Sequence, residues 1–106
     1  MAKKSSFSKL VNSEPNVFID FHATWCGPCK MMNPIIKQIA KERGDNLRLV
    51  KIDIDKNQKL AEKLEIRGVP TFMLYQNGKS VWRKSGAMTK AKLEQVLESK
   101  GIKRDA

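Results

Sequence analysis

The spacing of apolar and polar residues divides the first half of the chain into alternating strand-like and helix-like segments. Residues 16–23 (NVFIDFHA) and 47–55 (LRLVKIDID) are rich in β-branched and aromatic side chains, which predicts two strands, the second of them an interior strand. Apolar residues recur at helical spacing from Cys29 to the polar stretch RGDN, and again over residues 57–66. A strand–helix–strand–helix order favours parallel pairing of the two strands.

After RGVP (residues 67–70) the pattern changes to that of an antiparallel sheet. TFMLYQ and SVWRKS flank NGK, and Asn-Gly between two strand-like segments predicts a tight hairpin. Residues 89–101 predict a last helix, with Thr89 as its N-cap and Gly101 at its end. Because no repeat or linker-like segment interrupts the chain, we expect one α/β domain over residues 1–106.

Composition and charge restrict the class of protein. The chain is 41% hydrophobic and 30% charged, which is typical of globular domains. It has no apolar segment near the ~18 residues that span a bilayer, and residues 1–15 lack the hydrophobic stretch of a signal peptide. We therefore expect a cytoplasmic protein that does not associate with membranes.

The net charge of +10 raises the question of nucleic-acid binding. The basic residues are spread along the chain, with an excess toward the C-terminus, and no basic run is interleaved with aromatic residues. This distribution favours a solvated surface over a nucleic-acid site, and it suggests a general preference for acidic protein partners. The methionines, including Met31 and Met32, have core-like spacing, and we expect them to be packing residues.

Both cysteines of the chain, Cys26 and Cys29, lie in the stretch TWCGPCK. A disulfide that closes so short a loop would constrain the unfolded chain very little, so a structural staple is a poor explanation. A structural zinc site needs four ligands, and the chain offers only one histidine, His22, besides the two cysteines. The remaining interpretation is a reactive dithiol in a reducing compartment, without a metal.

The position of the cysteines assigns each of them a role. Cys26 precedes a predicted helix, whose free N–H groups and positive dipole end would stabilise a thiolate, so we expect Cys26 to be the exposed nucleophile. Cys29 lies one turn further on and would be the buried resolving thiol. Pro28 suits the first turn of a helix, and Gly27 would leave the approach to Cys26 open. The plainer alternative is an ordinary helix start.

Asp20 is unusual because it is a charged residue within the apolar stretch VFIDF. It must either be solvent-exposed or be buried for a purpose, and burial would raise the pKa of its carboxyl toward values suited to proton transfer. By alternation Asp20 and His22 share one face of the strand. His22 is either a hydrogen-bonded structural residue or a titrating group that modulates the thiols.

Several motifs stand in an order that resembles the thioredoxin family. They are WCGPCK after a strand, DF five residues before Trp25, Pro34 in the following helix, RGVPTF before the hairpin and GA before the last helix. The resemblance covers about residues 17–100 and is far more specific than a lone C-x-x-C. The family usually begins with a short strand, but MAKKSSF shows no strand-like alternation. We therefore expect that strand to be short or absent.

The resemblance implies a thioredoxin fold, in which helices cover both faces of a central mixed sheet. It implies that Asp20, with Lys51 beside it, helps to remove the proton of Cys29. It implies that Pro70 is cis, so that the Val69 backbone can pair with an extended substrate segment. The implied substrate-binding residues are Trp25, Gly27, Pro28, Val69, Pro70, Gly86 and Ala87.

The activity implied is that of a monomeric thiol–disulfide oxidoreductase. It would reduce disulfides of substrate proteins without a bound cofactor and would receive electrons from a thioredoxin reductase. Two alternatives are a non-catalytic binding module that uses the same apolar surface and an oxidase or isomerase of the same fold. The intact Cys-x-x-Cys disfavours the first, and the Gly-Pro dipeptide resembles the reducing members, whereas a histidine there marks the oxidising ones.

Overall fold

The structure, a computed structural model, describes residues 6–105 and contains every strand and helix that the sequence predicts. In chain order the elements are α1 (Ser6–Val11), β1 (Asn16–His22), α2 (Gly27–Arg43), β2 (Arg48–Asp53), α3 (Gln58–Lys63), β3 (Thr71–Gln76), β4 (Lys79–Ser85) and α4 (Lys90–Ser99), with a 3-10 turn at Gly44–Asn46. The short helix α1 was not predicted. It is held by packing, since Phe7 meets the ring of Tyr75 edge-on at 5.5 Å between centroids.

The four strands form one mixed sheet in the order β2-β1-β3-β4. β1 runs parallel to β2, with Asp20 opposite Lys51, and the β1–β3 and β3–β4 pairs are antiparallel. In residues 6–105, β2 is therefore an edge strand, and our expectation of an interior strand is wrong. Its apolar run has another cause: Leu49 packs toward one face of the sheet and Val50 toward the other.

The hydrophobic core has two layers, one on each face of the sheet. On one face Phe18 packs with residues of α2 and α4, among them Met32, Ile36, Leu93 and Leu97. On the other face Val17, Ile19 and Phe21 pack with residues of α1 and α3. The alternation of β1 thus serves both layers, as expected for a strand covered by helices on both sides.

The expected first strand falls partly on residues 1–5, which lie outside the described residues. At Ser6 and Phe7 the chain is already helical, in agreement with the missing alternation there. None of the helices described between residues 6 and 105 is long and apolar enough to cross a membrane.

The predicted turn and cap signals are confirmed. Asn77 and Gly78 have φ values of 51° and 81°, as a two-residue hairpin turn with both central residues left-handed requires. Thr89 Oγ1 accepts a hydrogen bond from the Lys92 N–H at 3.2 Å, which caps α4. Pro34 lies within α2, as the sequence places it.

Candidate active site

The two cysteines form a disulfide at the N-terminus of α2, with their Cα atoms 5.3 Å apart. Cys26 is the N-cap residue and has an extended backbone, while Gly27 and Pro28 are the first helical residues. The Cys29 N–H donates a hydrogen bond to Cys26 Sγ at 3.1 Å. The Cys29 N–H at the helix terminus therefore points at the sulfur of Cys26, where it and the positive end of the helix dipole would stabilise a thiolate in the reduced protein.

Exposure does not separate the two cysteines in the disulfide form. Cys26 is 3% exposed and Cys29 4%, which corrects the expectation that Cys26 is an exposed residue here. The cause is local packing, because Ala23 forms one apolar cluster with both cysteines, and Ile54 and Val69 pack against it. What distinguishes Cys26 is its place at the helix terminus and the hydrogen bond that its sulfur accepts.

The surface around the disulfide is open and apolar. Trp25 is 67% exposed, and its Nε1–H donates to Asp55 Oδ2 at 2.8 Å, which fixes the orientation of the ring. Pro28 is exposed, and no heavy atom lies within 4 Å of the point that a Cβ on Gly27 would occupy. An exposed aromatic that is held in place beside an open approach is suited to contact a partner.

Met31 is a residue of this surface that the sequence analysis missed. It is 78% exposed, so the expectation that it packs in the core is wrong, whereas Met32 is buried. In the described part of the chain, Trp25 and Met31 are the two large hydrophobic residues that are exposed. The signal that could have found it is helical spacing, because Met31 lies three residues after Pro28 and so shares its face of α2.

The loop before β3 contacts the cysteines and is tied to the loop after β4. The Val69–Pro70 peptide bond is cis, as the resemblance implied, and Val69 packs against the cysteine cluster. The carbonyl of Pro70 accepts a hydrogen bond from the Gly86 N–H at 2.8 Å. Gly86 and its neighbour Ala87 are both exposed. The structure thus joins the loop of Val69 and Pro70 to that of Gly86 and Ala87 and places Val69 against the cysteines. Pro70 itself is fully buried, so it shapes this loop and adds no exposed surface.

Asp20 is 2% exposed, so the alternative of a solvated carboxylate is excluded. Burial raises the pKa of the Asp20 carboxyl, and the charges of Lys51 and His22 offset part of that rise. Although Lys51 lies opposite Asp20 in the sheet, its Nζ donates to Asn33 Oδ1 at 2.7 Å. Lys51 therefore acts on Asp20 through space rather than by a hydrogen bond, and the half-buried His22 lies on the same strand face.

Residues 6–105 contain no group of three or more His, Cys, Asp or Glu side chains that could hold a metal ion. The arrangement consists instead of a disulfide at a helix N-terminus, a cis-proline loop packed against it and a buried carboxyl on the adjacent strand. These features, on a mixed sheet covered by helices on both faces, define an α/β protein with a candidate dithiol–disulfide site. The sequence model of the family Thioredoxin matches residues 1–99, and the chain belongs to the thioredoxin family.

Individual relatives agree with this assignment. The thioredoxin of Acidithiobacillus ferridurans is 47% identical over 85% of this chain and 82% of that protein. The chloroplastic thioredoxin Y of Oryza sativa subsp. japonica is 42% identical over 92% of this chain and 61% of that protein. The crystal structure of oxidised mitochondrial thioredoxin 3 from Saccharomyces cerevisiae has a TM-score of 0.80 at 35% identity, covering 88% of this chain and 86% of that one. The chain spans 54 to 61% of the length of four chloroplastic relatives that it matches, one from rice and three from Arabidopsis thaliana.

Proposed function

We propose that this chain reduces disulfides of substrate proteins by thiol–disulfide exchange. The observation that carries the proposal is the Cys26–Cys29 disulfide at the N-terminus of α2, with the Cys29 N–H on Cys26 Sγ. In the reduced protein the Cys26 thiolate attacks one sulfur of the substrate disulfide, and the other substrate sulfur leaves as a thiolate. The Cys29 thiolate then attacks Cys26 Sγ, which releases the second substrate thiolate. Two electrons pass to the substrate, and the protein is left oxidised.

Asp20 is the group that we propose to accept the proton of Cys29. It is buried in the strand that leads to Ala23, which packs against both cysteines. Its pKa is raised by burial, which brings it closer to the range in which a carboxylate can take a proton from a thiol at neutral pH. Lys51 limits that rise through its charge, so that Asp20 can still ionise.

Substrate docking uses the apolar surface around the disulfide. Its proposed exposed or half-buried members are Trp25, Gly27, Pro28, Val69, Gly86 and Ala87, together with the exposed Met31. The buried Pro70 would hold the Val69 backbone in place beneath them. A substrate segment that lies extended beside Val69 can pair with its backbone, which is a recognition mode tolerant of sequence. Exposed apolar side chains around a reactive bond suit the same purpose.

The partners and location complete the proposal. We propose a thioredoxin reductase as the electron donor, a monomer as the working form and a reducing compartment such as the cytoplasm. The Gly-Pro dipeptide, which resembles that of the reducing members of the family, supports the electron donor. The use of both cysteines in one reactive pair, with none left for structural disulfides, supports the reducing compartment.

Reduction of insulin disulfides tests the activity. With dithiothreitol as the electron source, the protein should accelerate insulin precipitation, while the Cys26→Ser and Cys29→Ser variants should not accelerate it in multiple turnovers. A parent protein no faster than either variant would support the alternative of a non-catalytic binding module. If the parent protein reactivates scrambled ribonuclease but does not reduce insulin, an oxidase or isomerase function would replace the proposed reductase function.

A further inference from the structure

A groove of about 620 Å³ lies between strand β4 and helix α4. Trp82, Met88 and Val96 supply its apolar lining, and Lys84 and Lys92 are exposed beside them. Trp82 and Lys84 are two residues apart and so share one face of β4. Its α4 side is formed by residues at positions 92, 95, 96 and 99, which is the spacing of one helical face. The volume falls within the ~300–1,000 Å³ that is usual for binding clefts.

The position of this β4/α4 groove connects it with the proposed docking surface. β4 is an edge strand of the sheet in the described residues, so the groove is bordered by the outer edge of the sheet. Ala87 lines the groove, and its neighbour Gly86 is hydrogen-bonded to Pro70. A segment that leaves the docking surface past residues 86 and 87 therefore enters the groove directly.

The chemistry of the lining selects a type of occupant. It combines apolar side chains with two lysines and contains no carboxylate, in a chain whose net charge is +10. Such a lining suits a segment with acidic residues and an apolar side chain. Trp82 is stacked on Phe18, with 6.4 Å between ring centroids, so that face of the indole is not free to stack on a base. A protein segment therefore fits the groove better than a single-stranded nucleic acid.

We propose that the β4/α4 groove binds a segment of the substrate protein that lies next to its disulfide and carries both acidic residues and an apolar side chain. Lys84 and Lys92 thereby determine substrate preference. The proposal rests on the proposed reductase function and adds a substrate class to it. Two exposed ion pairs together are worth roughly 2- to 30-fold in affinity at low salt. The preference should therefore be moderate and salt-dependent.

The kinetic test compares two synthetic peptides that differ only in four glutamates of one, which are glutamines in the other. Each carries a leucine and a cysteine in a disulfide with a chromophoric aromatic thiol, so that release of the chromophore reports attack by the reduced protein. At low ionic strength we expect the acidic peptide to react about fivefold to tenfold faster. High salt should bring the ratio close to one.

The matched variants separate the groove from the general charge of the protein. Lys84→Glu combined with Lys92→Glu should abolish or reverse the preference for the acidic peptide. Lys59→Glu combined with Lys63→Glu makes the same change of charge on α3, on the opposite face of the sheet, and should keep at least half of the preference. The proposal would be overturned if the unsubstituted protein reacted with the acidic peptide less than twofold faster than with the glutamine peptide. It would also be overturned if both double variants lost this rate preference equally.

A second measurement keeps binding apart from chemistry. The acidic peptide with serine in place of its cysteine is added to the isotope-labelled protein and followed by NMR. The indole N–H of Trp82 and the amides near Val96 should shift in the parent and not in the Lys84→Glu, Lys92→Glu protein. Shifts confined to other faces would overturn the groove assignment. If no disulfide peptide is reduced while the Trp82 shift persists, the reductase function fails and the groove still binds the acidic segment.

Discussion

Replacing Asp20 with asparagine removes a buried carboxyl and leaves a side chain of nearly the same size. Burial raises the pKa of Asp20 in the folded protein above 3.8, the ordinary value for an aspartate carboxyl, which we take for the unfolded chain. Between the unfolded and folded pKa values the native state binds more protons than the unfolded state, so the free energy of unfolding falls as pH rises through that interval. Above it, the ionised Asp20 reduces stability by a constant amount.

The Asp20→Asn variant lacks this cost. It should match the parent at pH 3, where the carboxyl is protonated in both states, and be more stable at pH 7. The gain should be about 1.4 kcal/mol for each tenfold difference in acidity between the folded and unfolded carboxyl. Denaturant unfolding of the oxidised protein at the two pH values measures it. The control is Asp45→Asn, which removes the same charge at an exposed position and should change stability by less than ~0.5 kcal/mol.

The same substitution should slow catalysis although it stabilises the fold. General bases contribute roughly 10²- to 10⁴-fold, and we expect a slowing of about 10²-fold at pH 7 when Asp20 can no longer accept the proton of Cys29. Stopped-flow tryptophan fluorescence during resolution of a mixed disulfide reports the step, since Trp25 precedes Cys26 in the chain. Unchanged resolution together with increased stability would leave Asp20 without a role as base. A gain of the same size at pH 3 and pH 7 would refute the account of its pKa.

Three further predictions concern the turn, the approach to the disulfide and the direction of electron flow. Gly78→Ala should destabilise the fold by more than ~1 kcal/mol in denaturant unfolding, because Gly78 has a φ of 81°, which residues with a Cβ rarely adopt. The end of the Asn12 side chain would also have to move away from the new Cβ, and an unchanged midpoint would contradict this prediction. Gly27→Val should unfold like the parent, since its Cβ meets no neighbour, yet reduce insulin more slowly than it reduces a small aromatic disulfide; equal slowing of both would argue against obstruction of docking. The reduction potential, measured against glutathione, should lie near the ~−270 mV of thioredoxins, and a value above about −200 mV would exclude a reducing role.

Periodicity and turn chemistry were enough to predict the order of the main elements. The Asn77-Gly78 turn and the Thr89 cap are local signals, and the structure forms both because each satisfies nearby backbone groups. The six-residue helix α1 lacks such signals, since its stability comes from packing against Tyr75 and its neighbours. The edge position of β2 could not be predicted either, because an apolar run indicates that both faces of a strand are buried and does not indicate how many strands pair with it.

At the site, the cysteines and their helix terminus could be derived from spacing, whereas other features needed the resemblance or the structure. A cis bond at Pro70 has a prior of only about 5%, so it entered through the resemblance alone. Burial of Asp20 was one of two outcomes that the apolar strand allowed. The exposure of Met31 and the burial of Cys26 depend on which residues of α2 and the neighbouring loops meet in space, and a single sequence does not contain that information.

The central claim is that attack belongs to Cys26 and resolution to Cys29. The most direct measurement is covalent trapping, in which each single-serine variant is mixed with a protein that carries an accessible disulfide and the mixed disulfides are separated on a non-reducing gel. Cys29→Ser keeps the thiol at the helix N-terminus and cannot resolve the intermediate, so it should accumulate the mixed disulfide. Cys26→Ser should trap almost none. Equal trapping by both variants, or trapping by Cys26→Ser alone, would contradict the assignment of the nucleophile to the helix terminus.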